Sequence, residues 1–305
     1  MKGTVAGAPV SFGVFEMTPE GAETVSADAM CEILQSTGYR GIDLGPVGFL
    51  GRGAELRARL ARFELELAGG WVQLPLTDDD AFAASLVELD DALRVFADAA
   101  ESGPDRMPLP TLADSGSAAR AAAPGRGATA DPLSGAAADR LYRNVERAAR
   151  IIRDAGLEPT FHHHAGTFVE SPEEVDAFLA RSDLGLTLDI GHLVLAGGDP
   201  LDAVRRWGPR INHLHLKDVD GSRVAELLAA GGGMADVWSG GAFVALGHGD
   251  LDLPGVMGLV ADAGFDGWVV VEQDVLNGPD VSIARFQQER TEDQRVNRDA
   301  LRRWL

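Results

Sequence analysis

Cysteine, lysine and early histidine are what this 305-residue chain has least of. A single cysteine, Cys31, excludes an intramolecular disulfide framework. It lies in a helical pattern, "ADAMCEILQSTG", as a small core residue. Lysine stands only at Lys2 and Lys217, which singles out the internal one, inside "HLHLKD". There is no basic excess: 27 Lys and Arg face 47 Asp and Glu, a formal net charge of −20. Such a surface repels polyanions, so neither nucleic acid nor an anionic membrane is expected as a partner. The opening "MKGTVAGAPVSFGVF" lacks the apolar core of a signal peptide, and no apolar run reaches membrane-span length. The expectation is a cytoplasmic protein. No G-x-G-x-x-G follows the first strand and no Walker loop is present, which disfavours a dinucleotide or nucleotide triphosphate site. Histidine is missing from the first 161 residues, then arrives three at once as His162, His163 and His164.

What is present is an alternation of short apolar strands with amphipathic helices. Strands are expected at "TVAGAPVSFGVF", "GIDLG", "LELAGGWVQLPL", "RMPLPTLAD", "LEPTFHHH", "LGLTLDIGH", "RINHLHLKD" and "GWVVVEQD". The fourth is the weakest, because two prolines count against a central strand. Helices are expected at 27–38, over "GAELRARLARFE", at 80–101, and over "DRLYRNVERAARIIRDAG". More follow at "SPEEVDAFLARS", "DPLDAVRRWG" and "DLPGVMGLVADAG", and a final one runs to Leu305. Ser171 and Pro172 supply an N-cap and a first helical position. Residues 115–137, rich in Ala, Gly, Ser and Pro, are expected as a mobile loop, and "GGGMAD" as flexible connection. Eight strand–helix units over 1–305 predict one (β/α)8 TIM-barrel domain, with a doubly wound open sheet as the alternative.

In such a barrel the site lies at the C-terminal strand ends. Strand five ends in His162 and His164, strand six in Asp189 with His192 three residues on. His213, His215 and Lys217 alternate on one face of strand seven, and Glu272 and Asp274 on strand eight. Singly, a strand-end histidine is more often a hydrogen-bonded structural residue, and a strand-end aspartate a cap or turn residue. Glu272 after four apolar residues is harder to explain that way, because a buried carboxylate needs a partner. Together, His, Asp, His and Glu from four consecutive strands can converge on one divalent cation. Mixed imidazole and carboxylate ligands suit Mn, Co, Fe or Zn better than Ca or Mg.

The segments "APVSFGVF", "GIDLGPVGFLG", "FHHHAGTFVE", "LTLDIGHLVLAGGDP", "INHLHLKDV" and "GWVVVEQD" resemble the inosose dehydratases, within the xylose-isomerase-like sugar isomerase/epimerase superfamily. The resemblance covers most of the chain and is least over 115–137. It departs at "ALGHGDLD", where the family has an acidic residue in place of His248. It implies a metal-dependent barrel with ligands Glu, Asp, His and Glu from strands five to eight. The last three fall on Asp189, His215 and Glu272, and His162 takes the position of the first. Glu158 has the right parity but lies four residues earlier, roughly 13 Å down the strand.

The resemblance further implies one divalent ion, manganese or cobalt first, with zinc, iron or magnesium as alternatives. The substrate would be a keto-polyol, scyllo-inosose, losing water. Epimerases of the superfamily commonly use glutamates of strands five and eight as an acid–base pair. His162 removes that pair and favours elimination. His164 is then the expected base, and His192 the donor to the departing hydroxyl or a substrate holder. Lys217 is expected to donate to a substrate hydroxyl or enolate oxygen, with Trp71 and His213 as further candidate substrate contacts. His213 is also read as packing deeper, behind the site, and His163 as facing out of the barrel. Rival readings are an isomerase, epimerase or dehydratase of another keto-sugar, and a sugar-binding barrel without activity. A homo-oligomer is compatible with all of them.

Overall fold

A computed structural model of the chain describes residues 2–18, 22–277 and 281–305. Eight parallel strands form the frame: β1 Thr4–Gly7, β2 Gly41–Ile42, β3 Glu66–Leu67 continued by Gly69–Leu74, β4 Leu109–Asp114, β5 Thr160–His162, β6 Gly185–Asp189, β7 Ile211–Leu216 and β8 Trp268–Val271. β1 pairs with β2 and with β8, and neighbours pair in chain order from β3 round to β8. The two segments of β3 bond to β2 on one side and β4 on the other, so the interruption at Ala68 is where the sheet closes on itself. Helices between the strands bury their apolar stripes against the outside of the sheet, and Met30, Leu34, Phe96, Val145, Phe178 and Val256 belong to that layer. No described helix is long and apolar enough to cross a membrane.

Inside the barrel a smaller cluster of Ala6, Ala8, Ala68, Trp268 and Val270 packs together, with Trp268 level with His213 and Ala8 reaching the cavity above. Trp268 takes the space that Gly41 leaves. A Cβ at residue 41 would stand 2.7 Å from the indole. Asn212 is an extra residue in β7, where the register with β6 shifts between Leu186 and Thr187. Its side chain accepts the Thr160 hydroxyl at 2.7 Å above Gly185, where no Cβ would fit. The bulge brings His213 and His215 into phase with Thr187 and Asp189.

Several elements differ from expectation. The first strand stops at Gly7, because Pro9 opens a 3-10 turn and Gly13 closes it at φ +73°. β5 stops at His162, and His164 already donates its N–H to Val169 O within the following loop. The helix expected at 80–101 is two, Asp79–Ala84 and Leu86–Ala100, and Asp78 caps the first. "GGGMAD" is not all flexible connection: Met234–Ser239 is a helix with Met234 and Val237 buried. Within 115–137 lie two one-turn helices, Ala118–Ala121 and Gly127–Ala130, around Arg120. Arg120 is fully buried. It donates to Asp131 O and Thr167 O and pairs with Glu174 at 2.8 Å. Glu174 is the N3 residue of the Ser171 capping box, so the cap and the buried pair share one carboxylate.

Candidate active site

The upper ends of β5 to β8 converge as the alternation requires. The His162 Nε2 atom lies 3.1 Å from His215 Nδ1 and 3.3 Å from Asp189 Oδ2. His215 Nδ1 is 3.5 Å from Asp189 Oδ2 and 2.9 Å from Glu272 Oε2. Each residue is buried for a reason its element supplies. Asp189 ends β6 and caps the helix Ile190–Leu195, where its Oδ1 accepts the His192 N–H at 2.9 Å, leaving Oδ2 for the cluster. His215 stands level with Asp189 and with Val270, and Glu272 follows β8 just above.

This donor set fits a divalent cation. Ligands about 2.1 Å from a common ion are themselves roughly 3–3.5 Å apart, the range spanned here. Two imidazole nitrogens at 3.1 Å can share at most one proton between them, and Asp189 Oδ2 faces both, at 3.3 and 3.5 Å. His162, Asp189 and His215, with Glu272 beside them, would hold the ion. His215 is held from its other side as well, since its Nε2 lies 3.5 Å from Asp43 Oδ2. Asp43 follows β2 and was not picked out from the sequence.

Lys217 sits in the same cluster. Its Nζ lies 3.0 Å from both Asp189 Oδ2 and Glu272 Oε2, 2.9 Å from Asp274 and 3.0 Å from His192 Nε2. Burial alone would push the Lys217 ammonium towards losing its proton, but Asp189, Asp274 and Glu272 outweigh it and raise its pKa. Burial raises the Glu272 and Asp189 carboxyls, yet His215 and Lys217 beside the first and Lys217 beside the second bring both below the usual range. His215 is lowered by burial but raised further by Glu272, Asp189 and Asp43, so its net shift is upward. His164 is depressed by burial and then by His192, His162 and Lys217, so it is neutral near pH 7. Its Nδ1 is 2.7 Å from Ala165 O. A carbonyl only accepts, so Nδ1 carries the proton and Nε2 keeps its lone pair.

These residues form the floor and lower wall of a cavity of about 410 Å³. His162, His164, His215, Lys217, Glu272 and Trp71 all line it. Trp71 covers the floor, its ring centroid 5.1 Å from both His162 and His164. Two expected contacts lie elsewhere. His213 does not line the cavity: it is one pleat below, fully buried against Gly69, with its Nε2 3.9 Å from Asp43. That depth suits a supporting residue and not a substrate contact. His192 is also fully buried behind the lining, its ring 3.5 Å from that of His164 and its Nε2 accepting from Lys217. It backs two lining residues, and the expected direct contact with a departing hydroxyl has no path. His163 faces outward and accepts the Asp189 N–H at 3.2 Å. Glu158 lies at the far end of β5, exposed and paired with Arg153. Phe15 and Trp238, which the sequence did not mark, meet at the mouth with centroids 5.5 Å apart.

Comparison with known proteins agrees with this architecture. Residues 31–294 match the family model described as a xylose isomerase-like TIM barrel. An inosose dehydratase of Lacticaseibacillus casei is 33% identical over 139 residues, 45% of this chain and 47% of that protein. The chain thus spans about half the length of that relative. The rhizopine catabolism protein MocC of Rhizobium meliloti is 29% identical over 277 residues, covering 87% of this chain and 80% of that one. Among solved structures, a probable 3-DHS dehydratase, AsbF, of Bacillus anthracis superposes with a TM-score of 0.67 at 13% identity, covering 94% of this chain and 97% of that one. A D-allulose 3-epimerase of Methylomonas sp. gives 0.68 at 14%, covering 100% and 98%. At such identities these two structures speak to the fold alone.

Proposed function

The chain belongs to the xylose isomerase-like TIM barrel family, and from that premise we propose that it is a metal-dependent hydro-lyase removing water from a cyclic keto-polyol, with scyllo-inosose as the substrate. The observation that carries the reading is His164. It is a neutral imidazole on the cavity wall, its tautomer fixed by Ala165 O, its basic nitrogen free, and it stands beside a convergent donor set. The partial match to an inosose dehydratase and the longer match to MocC support a substrate of this class.

A bound divalent ion, for which this mixed donor set suits Mn, Co, Fe or Zn better than Ca or Mg, would supply Lewis acidity toward the ketone oxygen. His162, Asp189, His215 and Glu272 would hold it. His164 Nε2 takes the proton from the carbon beside the ketone. The C–O bond at the next carbon breaks with its electron pair, and the hydroxyl leaves as water by taking up the proton that His164 removed. Lys217 keeps its own proton, so it acts as a fixed positive donor to the developing enolate oxygen. His192 and Asp274 hold that ammonium in place. Trp71 covers the ring and shields the floor from water. With His162 where a second carboxylate would stand, the floor has one imidazole base on that side and no symmetric carboxylate pair, which favours elimination over epimerisation.

The test is to incubate metal-loaded protein with scyllo-inosose and follow the conjugated product by ultraviolet absorbance. Steady accumulation of product is expected. Unchanged scyllo-inosose, with dehydration or epimerisation of another keto-sugar by the same sample, overturns the substrate.

A further inference from the structure

The cavity is divided by chemistry. Its floor carries the imidazoles, Lys217 and the carboxylates, whereas its upper wall is built from Val14, Phe15, Met17, Met234 and Trp238. The cavity also carries Glu16, Asp114 and Ser115, and of its other polar side chains Gln73 accepts from Trp71 Nε1 through Oε1 and the Thr167 hydroxyl donates to His164 O. A ring hydroxyl turned against Phe15, Met17 or Met234 would find no strong hydrogen-bond partner on those side chains, a costly arrangement. The wall also holds more aromatic and apolar surface than one ring face needs. Trp71 alone covers the floor, yet Phe15 and Trp238 meet edge to face above it, and Met17 is 54% exposed at the rim. Phe15 and Met17 come from the loop after β1, and Met234 and Trp238 from the helix after β7, so the apolar surface is assembled from two separate elements.

We propose that this upper wall is a subsite for an apolar substituent, and that the preferred substrate is a cyclic keto-polyol or keto-sugar carrying an alkyl or aryl group. The inference rests on the reading of the floor as a site for a keto-polyol, and adds the chemical class of what hangs from it. The ketone end faces His164 and Lys217. The substituent lies between Met17, Phe15 and Trp238, where burying apolar surface adds affinity.

Calorimetry on the metal-loaded protein tests this with the O-methyl and O-benzyl ethers of one cyclic keto-polyol, substituted opposite the ketone. The benzyl ether is expected to bind at least about tenfold more tightly than the methyl ether. Trp238→Ala and Met17→Ser should both bring that ratio toward one, and Met17, being at the rim, can be changed without disturbing the core. A ratio near one in the unaltered protein, or a ratio unmoved in both variants, overturns the subsite. Elimination is followed by NMR in the same samples. Benzyl preference without elimination of either ether or of the parent ketone supports the subsite and overturns the dehydratase reading. Elimination without benzyl preference overturns the subsite and leaves that reading standing.

Discussion

Asp43 Oδ2 stands 3.5 Å from His215 Nε2, across the ring from the Nδ1 atom that faces Asp189 and Glu272. A carboxylate so placed selects the tautomer with the proton on Nε2 and aims the other nitrogen's lone pair at the donor cluster. Asp43→Asn is therefore expected to weaken metal affinity by about 10–100-fold, read by competition with a chromophoric chelator. Unchanged affinity would show that β7 alone fixes the ring.

His164 has a role separable from metal retention. His164→Ala should cut turnover by roughly 10²–10⁴-fold and keep the ion, whereas Asp189→Ala and Glu272→Ala should lose it. Elemental analysis beside the rate assay checks both halves. Loss of metal from His164→Ala would make that residue a ligand and remove it as the base.

Asp114 supplies a pH signature away from the donor cluster. Its Oδ1 accepts from Gly116 N–H and Phe168 N–H, its Oδ2 has no partner, and burial pushes its pKa up to about 6. The folded state thus favours the protonated acid, and wild-type stability is lost as pH rises from the unfolded value near 3.9 through about 6. Asp114→Asn keeps an acceptor and removes the buried charge. Its stability relative to wild type should rise between pH 5 and 7.5, by on the order of 1–2 kcal/mol, in urea midpoints. A pH-independent difference sinks the assignment.

Arg120 makes a stability prediction. Arg120→Met strands Glu174 and two carbonyls, and removal of one partner of a buried pair costs roughly 3–5 kcal/mol. Hydrogen exchange should quicken first over 117–131 and at the start of the helix Pro172–Arg181. Uniform quickening across the barrel would contradict a local tie.

The convergence of His162, Asp189, His215 and Glu272 was legible because strand parity and strand ends place all four on the inward face at one end of the barrel. Depth along the barrel was only partly legible. Parity puts His213 and His215 on one face and left two readings of His213 open, and the register with β6 and β8 agrees with the deeper one. His192 was misplaced for the same reason, since Asp189 caps the helix that carries it and turns its ring behind Lys217. Asp43 was missed because β2 is two residues long, too short for a pattern. Trp238 was hidden by its glycine-rich approach, although Met234, Val237 and Trp238 already hold helical spacing.

Trp268 and the alanines around it stopper the barrel at the end away from the mouth. The reaction space, as far as the described residues form it, is a blind well. Whatever goes in must come back by the way it entered, past Phe15 and Trp238. Arrival and departure then compete for one passage, and a molecule that lingers at the rim blocks traffic in both directions.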